Sequence, residues 1–250
     1  MNKNNLSAEI SKMLARLESD LIQTESQIEQ DILDLLQRGL GYTNPDIKNQ
    51  VIIKGDNDSR KDIVLYPKQN TEVIIEVKRP DVFSKKRELE KAIVQVASYI
   101  RDTHNASNNG IVTDGINWKV FELIPHKNYF RAHIVLSFSL RDDAKLSKMI
   151  LTRFTKFKII NFLKFISAIH VDLHPTDFDT LMNISLSQRI RVLKKKAKLN
   201  SIERITADDI KILTALYSGG FAPVAFVKAL SLGNPLNVTL QKMKASRRIS

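Results

Sequence analysis

The sequence predicts an α/β (α+β) fold, in which a mixed sheet flanked by helices is followed by a basic, all-helical C-terminal region. Residues 49–78 contain three apolar runs of strand length, separated by the turn-forming clusters GDND and PKQNT. Segments with helical spacing precede and follow these runs. Strand patterns give way to helical ones near residue 140, so we expect two domains, 1–140 and 141–250.

The predicted elements of the first domain follow the order α-β-β-β-α-β, with further strands added. Ile28, Ile32 and Leu35 form an apolar stripe at helical spacing, and the stripe predicts the second helix. Gly39 and Gly41 end this helix. The expected helices cover 6–20, 24–38 and 84–102, and the expected strands cover 49–54, 61–66, 72–78, 111–113, 117–123 and 129–138.

The second domain is predicted to be helical over 142–169, 180–199, 206–218, 222–231 and 235–246. The last three helices resemble a helix-turn-helix in outline, with the third in a DNA groove. Aromatic residues interleaved with lysines could instead form a stacking platform for single-stranded nucleic acid. Their near-helical spacing favours core packing for the four residues Phe154, Phe157, Phe162 and Phe165.

The charge of the chain is unevenly distributed. Residues 1–140 carry 19 Lys+Arg and 19 Asp+Glu, whereas residues 141–250 carry 20 and 8, so the whole net charge of +12 lies in the second part. Such asymmetry favours a polyanionic partner, most simply nucleic acid. The alternative is a basic surface that only aids solubility.

Composition also excludes several classes of protein. Cysteine is absent, which excludes disulfides and thiolate metal sites. No run approaches the roughly 18 apolar residues of a membrane span, and the polar start lacks the apolar segment of a signal peptide. We therefore expect a cytoplasmic protein that does not associate with membranes.

The segment VIIEVKRP carries the strongest chemical signal. In a strand over 72–78, alternation places Glu76 and Lys78 on one face, at the end of an apolar run. Asp62, on the preceding predicted strand, can supply a second carboxylate beside them. Two carboxylates and a lysine at the edge of a small sheet are typical of a Mg²⁺-dependent phosphodiesterase site.

Five segments together resemble a known family: TESQIEQDILDLL, RKDIVLY, VIIEVKRPD, Gln95-x-x-x-Tyr99 and NGIVTDGINWKVFEL. They resemble the PD-(D/E)xK nuclease superfamily, most closely the N-terminal nuclease domain of type I restriction enzyme R subunits, over about 20–125. The resemblance implies a restriction-endonuclease-like core. Lys61-Asp62 stands where the family name implies Pro-Asp. Ile116 replaces the lysine of a Walker A motif, so we expect no ATPase.

The resemblance implies a role for each candidate site residue. Asp62, Glu76 and the carbonyl of Val77 would bind Mg²⁺, for which Mn²⁺ could substitute. Lys78 would orient the attacking water or neutralise developing charge. It could act as a general base only with a strongly depressed pKa.

Two helices supply further side chains that the resemblance places near the site. One glutamate of the first family helix points into it, and Glu25 matches that position best, with Glu29 second. The alternative is a solvated helix flank. Gln95 and Tyr99 share a helical face and would support catalysis, unless Tyr99 is simply buried beside an incidental glutamine.

Basic residues near the site and in the second domain are candidate contacts to the DNA backbone, which position without specifying sequence. They are Arg60, Lys61, Arg79, Arg189, Arg191, Lys194, Lys195 and Lys196. The motif His170-x-Asp172-x-His174 is better explained as a polar interhelix loop than as a transition-metal cluster.

The predicted function is a restriction-type Mg²⁺-dependent DNA endonuclease. The expected partners are DNA and, if the family's partner dependence holds, restriction-modification subunits, and a homodimer is left open. The alternative is a non-catalytic nucleic-acid-binding or assembly protein that retains the nuclease fold.

Overall fold

The protein is described by a computed structural model over residues 3–19, 24–53, 56–68, 71–103, 106–126, 129–142, 144–172, 208–209, 211–212 and 236–239. The helices are α1 (Lys3–Glu18), α2 (Glu25–Asp34), α3 (Pro80–Phe83), α4 (Lys86–Asp102), α5 (Ala144–Leu151) and α6 (Ile159–Asp172). The strands are β1 (Ile47–Ile53), β2 (Asp56–Lys68), β3 (Thr71–Val77), β4 (Ala106–Thr113), β5 (Asn117–His126), β6 (Tyr129–Ser139) and β7 (Leu236–Thr239).

The strands form one mixed sheet in which spatial order equals chain order, from β1 to β7. Strands β3 and β4 are parallel, and every other neighbouring pair is antiparallel. Parallel neighbours need a long crossover, and α3 with α4 supplies it. The predicted mixed sheet and the α-β-β-β-α-β order are therefore confirmed.

Helix α2 begins and ends where its sequence dictates. Thr24 caps its N-terminus in a capping box with Gln27, which satisfies two otherwise free backbone donors. A π-helical turn, Leu35–Gly39, follows the last α-helical residue. Gly41, with a φ of +78°, then reverses the chain in a conformation that glycine adopts without strain.

Two apolar cores lie on opposite faces of the sheet. The large core packs α1, α2, α5 and α6 against one face and includes Ile28, Ile63 and Ile75. The small core packs α4 against the other face and includes Val96 and Phe121. Alternation along the strands from β3 to β6 divides their side chains between these two cores.

The C-terminal prediction was wrong in two places. The helix expected over 142–169 is two helices, α5 and α6, because residues 152–158 form turns, and α6 continues to Asp172. The helix expected over 235–246 is contradicted at Leu236–Thr239, which form β7 beside β6. The proposed third helix of a helix-turn-helix therefore does not begin there, and the helical character of the rest of the C-terminal region stays a prediction.

Several other C-terminal predictions lie outside the described residues. They are the helices over 180–199 and 222–231 and the placement of His174. Residues 208–209 and 211–212 are helical, as predicted for 206–218. No helix in the described part of the chain is long and apolar enough to cross a membrane.

Core packing continues beyond residue 140. Phe154, Phe162 and Phe165 are buried in the large core, which confirms core packing for three of the four phenylalanines, while Phe157 is 84% exposed. The ring of Phe154 meets Trp118 of β5 edge to face at 6.0 Å. The hydroxyl of Tyr42 donates a hydrogen bond to the carbonyl of Phe154 at 2.7 Å. The domain boundary at 140 stays a prediction, but α5 and α6 share one core with the sheet.

The Gly110→Ala substitution tests the packing of α4 on β4. A Cβ atom at Gly110 would lie 2.5 Å from the Phe121 ring and 2.6 Å from the Val96 side chain, both buried. We expect it to lower the free energy of unfolding by about 1–3 kcal/mol in urea denaturation. The exposed control Asn108→Ala, on the same strand, should change it by less than about 0.5 kcal/mol. Equal effects of both variants would contradict this account.

Candidate active site

Asp62 and Glu76 are brought together by the register of two neighbouring strands. Ile63 of β2 pairs with Ile75 of β3, and both side chains are fully buried in the large core. Asp62 and Glu76, one position along each strand, therefore project side by side from the opposite face. Oδ2 of Asp62 accepts a hydrogen bond from the backbone N–H of Val77 at 2.8 Å, which fixes the carboxylate against β3.

Lys78 lies immediately after β3, between two acidic side chains. Its Nζ is 2.7 Å from Oε1 of Glu76 and 4.0 Å from Oε2 of Glu25. Its backbone N–H donates to the carbonyl of Thr113 at 2.9 Å, which ties this end of β3 to β4. The predicted triad of Asp62, Glu76 and Lys78 is thus assembled in one place.

Glu76 is a fully buried carboxylate whose charge is incompletely compensated. Its exposed fraction is 0%, and Oε2 forms no hydrogen bond with any residue that the structure describes. Burial, followed by the charge of Asp62, raises the pKa of Glu76 to about 8, although Lys78 opposes the shift. The pKa of Asp62 is also raised, first by burial. A cation bound between the two carboxylates would relieve this repulsion.

Lys78 is held in its charged form. Burial lowers the pKa of Lys78, but the charges of Glu76, Glu25 and Asp62 together outweigh burial, so the net shift is upward. A neutral amine, which a general base requires, is therefore disfavoured in the metal-free protein. The arrangement favours Lys78 as a fixed positive charge.

Both helix glutamates face the triad from α2, one turn apart. Glu25, at the start of the helix, is largely exposed and is close enough to raise the pKa of Asp62 and of Glu76. Glu29 is 7% exposed, and Nε2 of Gln50 donates to its Oε2 at 2.6 Å. Burial, and then the charge of Asp62, raises the pKa of Glu29, while hydrogen bonding from Gln50 opposes the shift. Glu25 is thus nearer Lys78, and Glu29 is the buried member of the pair.

Gln95 and Tyr99 lie on the face of α4 that covers this part of the sheet. Nε2 of Gln95 donates a hydrogen bond to the hydroxyl oxygen of Tyr99 at 2.7 Å. Burial raises the pKa of Tyr99, Gln95 opposes the shift, and the charges of Glu76 and Asp62 add to it. The tyrosine therefore shares the electrostatic environment of both candidate ligands, as the resemblance implies.

The predicted DNA contacts differ in accessibility. Arg60 and Arg79 are exposed, and Arg79 lies 3.4 Å from Asp81. Lys61 is only 7% exposed, and its Nζ lies 2.8 Å from both Oε2 of Glu72 and the hydroxyl of Thr103. Lys61 is thus held by contacts within the protein, which disfavours a contact with phosphate, and its role in DNA binding stays a prediction.

The basic run of the second domain falls outside the described residues. It comprises the candidate DNA contacts Arg189, Arg191, Lys194, Lys195 and Lys196.

Sequence reasoning missed two residues that strand register places in line with Asp62 or Glu76. Gln50 lies on β1 and bonds Glu29, and Lys119 lies on β5. Lys119 pairs with Val112, which itself pairs with Glu76, so Lys119 occupies the same row across the sheet. Burial lowers the pKa of Lys119, although Asp114 opposes the shift. Only the strand alternation in NWKVFEL could have indicated which face of the sheet Lys119 occupies, because it places Lys119 on the face opposite Trp118 and Val120.

The donor set fits Mg²⁺ better than a transition metal. No group of three or more histidine, aspartate and glutamate side chains is arranged around one metal position in the described ranges. Mg²⁺ commonly takes one or two protein carboxylates and keeps several waters. Asp62 and the unpartnered Oε2 of Glu76 could supply these two carboxylates, whereas the role of the Val77 carbonyl stays a prediction.

Comparison with known proteins agrees with the motif-based resemblance. Residues 24–134 match the family described as type I restriction enzyme R protein N terminus. This stretch runs from the cap of α2 into β6 and contains every candidate catalytic residue. It supports a restriction-type nuclease role for this part of the chain. No curated protein and no solved structure matches the chain.

The burial of Glu76 predicts how stability depends on pH without divalent ions. Its folded pKa of about 8 lies above the ordinary value of 4.5, so ionised Glu76 increasingly destabilises the fold between these pH values. Glu76→Gln should therefore stabilise the protein at pH 8, by at most about 4 kcal/mol at 1.36 kcal/mol per pKa unit, and much less at pH 5. Thermal unfolding at both pH values, with the partly exposed Glu90→Gln as control, measures this. A gain of equal size at both pH values would contradict it.

Proposed function

We propose that this protein is a Mg²⁺-dependent DNA endonuclease of the restriction type. The observation that carries the proposal is the cluster of Asp62, Glu76 and Lys78, formed where the end of β3 pairs with the middle of β2. The match of residues 24–134 to the R protein N-terminal family supports it. Phosphodiester hydrolysis requires a bound cation, a positioned water and compensation of negative charge, and this cluster contains suitable groups for each.

Asp62 and Glu76 would hold the cation, together with the carbonyl of Val77. When bound, the ion polarises the phosphate and lowers the pKa of a coordinated water. The N–H of Val77 holds Asp62 in place at 2.8 Å, so this ligand needs no reorganisation. Burial of Glu76 excludes bulk water from its carboxylate, which strengthens its attraction to a cation.

Lys78 supplies positive charge at the same point. Its Nζ contacts Glu76 at 2.7 Å, and the carboxylates around it keep it protonated. A protonated lysine orients the attacking water and offsets the charge that develops on the phosphate oxygens. Glu25, 4.0 Å from Nζ at the mouth of the site, limits the directions in which the ammonium can point.

DNA is the proposed substrate because of charge. Arg60 and Arg79 are exposed near the carboxylates, and the excess of 12 positive charges lies entirely within residues 141–250. Basic side chains at such positions bind phosphates without reading the base sequence. Restriction-modification subunits are proposed partners, on the basis of the family match alone.

Cleavage of supercoiled plasmid tests the proposal. Wild-type protein should nick or linearise plasmid with Mg²⁺ or Mn²⁺ and not with EDTA. Asp62→Asn and Lys78→Met should each reduce the rate by at least about 100-fold, because each removes a charge from the reacting centre. The matched controls Asp102→Asn and Lys91→Met change exposed side chains on α4 and should cleave at the wild-type rate.

The same assay separates the rival functions. Plasmid binding without cleavage by wild-type protein, even with added restriction-modification subunits, would favour the non-catalytic nucleic-acid-binding protein. Cleavage that survives both site substitutions would show that the active site lies elsewhere.

Tyr99→Phe tests the contribution of α4. The substitution removes the hydroxyl that receives the Gln95 hydrogen bond but keeps the ring in the small core. We expect cleavage to slow by about 10-fold, because Gln95 loses its fixed position, with little change in melting temperature. Tyr66→Phe, on β2 beside Lys48, is the matched control. Equal cleavage by both variants would exclude a role for the Tyr99 hydroxyl.

A further inference from the structure

Gln50 has an unusual backbone for a residue within a strand. Its φ is +50°, and no other non-glycine residue in the described ranges has a positive φ. Pairing is regular on both sides of it, since Asn49 pairs with Ile63 and Val51 with Lys61. The same strand register places Gln50 directly opposite Asp62.

The left-handed conformation is strained for any residue with a Cβ atom, and such strain is often found at functional sites. Gln50 is exposed, so core packing of its side chain is not what holds this backbone. A glycine at position 50 would adopt the conformation freely. The presence of glutamine therefore points to a use for its side chain.

That side chain reaches Glu29. Nε2 of Gln50 donates to Oε2 of Glu29 at 2.6 Å, linking β1 to α2. The other carboxylate oxygen, Oε1, is buried and forms no hydrogen bond with a described residue. The amide thus fixes one oxygen of Glu29. The second accepts no hydrogen bond of normal geometry from a described residue, although the side chain of Asn49 lies close enough to lower the pKa of Glu29.

Glu29 belongs to the same electrostatic cluster as the candidate metal ligands. After burial, the negative charge of Asp62 is what raises the pKa of Glu29. Glu29 is therefore close enough to act with Asp62. Gln50 contacts Glu29 directly and lies opposite Asp62 on the neighbouring strand.

We propose that Gln50 is a positioning residue of the active site, which holds Glu29 so that its negative charge acts through bound water, and not as a direct ligand, on a divalent cation held by Asp62 and Glu76. The inference rests on the proposed function. Gln50 itself contacts neither cation nor DNA and acts only through Glu29. Partners of this kind, one contact removed from a metal, typically change metal affinity by about 10- to 100-fold.

The Gln50→Gly variant of the full chain tests the inference, because glycine keeps the left-handed backbone and removes the side chain that bonds Glu29. Mn²⁺ and Mg²⁺ affinities are measured by isothermal titration calorimetry, and stability by thermal unfolding without metal. We expect the Mn²⁺ affinity to fall about 10-fold or more while the melting temperature stays unchanged or rises. Gln30→Ala, which removes an exposed amide that bonds Asp34, should change neither quantity.

A double-mutant cycle then separates positioning from a general effect on the site. In a Glu29→Gln background, the further change Gln50→Gly should leave Mn²⁺ affinity unaltered, because its only route of action is already lost. A lower melting temperature with wild-type Mn²⁺ affinity in Gln50→Gly would overturn the inference and leave a purely structural role.

The failure of the proposed function would have a different signature. If wild-type protein binds neither Mn²⁺ nor Mg²⁺, the metal-dependent mechanism and this inference both fall. The other signature has three parts: wild-type protein binds the ions, Asp62→Asn does not bind them, and Gln50→Gly binds them as tightly as wild type. In that case only the role of Gln50 is excluded.

Discussion

The buried pairing of Ile63 with Ile75 is the constraint on which the site depends. Side chains alternate along a strand, so a shift of either strand by one residue would move Asp62 or Glu76 into the large core. Both isoleucines are fully buried, and the free energy of that burial opposes any such shift. The position of two hydrophilic groups is therefore determined by apolar packing on the far side of the sheet.

The neighbourhood of this pair contains two features that a fold selected for stability alone would avoid. Glu76 is a buried carboxylate with one oxygen unpartnered in the described structure, and Gln50 holds a left-handed backbone within a strand. Both lie beside Asp62, whereas the neighbouring positions Ile74 and Ile75 alternate regularly between the two cores. Local departures of this kind, concentrated at one point of an otherwise consistent fold, are characteristic of functional sites.

Short-range patterns predicted much of this arrangement. Alternation identified β2 and β3, and with them Asp62, Glu76 and Lys78, because a strand's two faces follow from its own sequence. Helical spacing likewise put Gln95 and Tyr99 on one face of α4.

What was missed depends on contacts between distant segments. The burial of Lys61 depends on Glu72 of β3 and on Thr103 after α4, and β7 pairs with a strand about 100 residues earlier. The left-handed backbone at position 50 was not predicted, because glutamine is neither glycine nor asparagine, the residues that most often adopt this conformation.

The hydrogen bond from Tyr42 to the carbonyl of Phe154 has a consequence for how this fold could be divided or recombined. A chain cut after residue 140 would keep the sheet from β1 to β6 and every candidate catalytic side chain. It would nevertheless leave the phenol of Tyr42 without its acceptor in an apolar setting, and would strip Trp118 of the Phe154 ring. The smallest portion of this protein that could move intact between genes therefore includes α5 and α6. It also includes Asp209 and Ile212, because Asp209 pairs with the buried Arg153 and Ile212 lies in the large core.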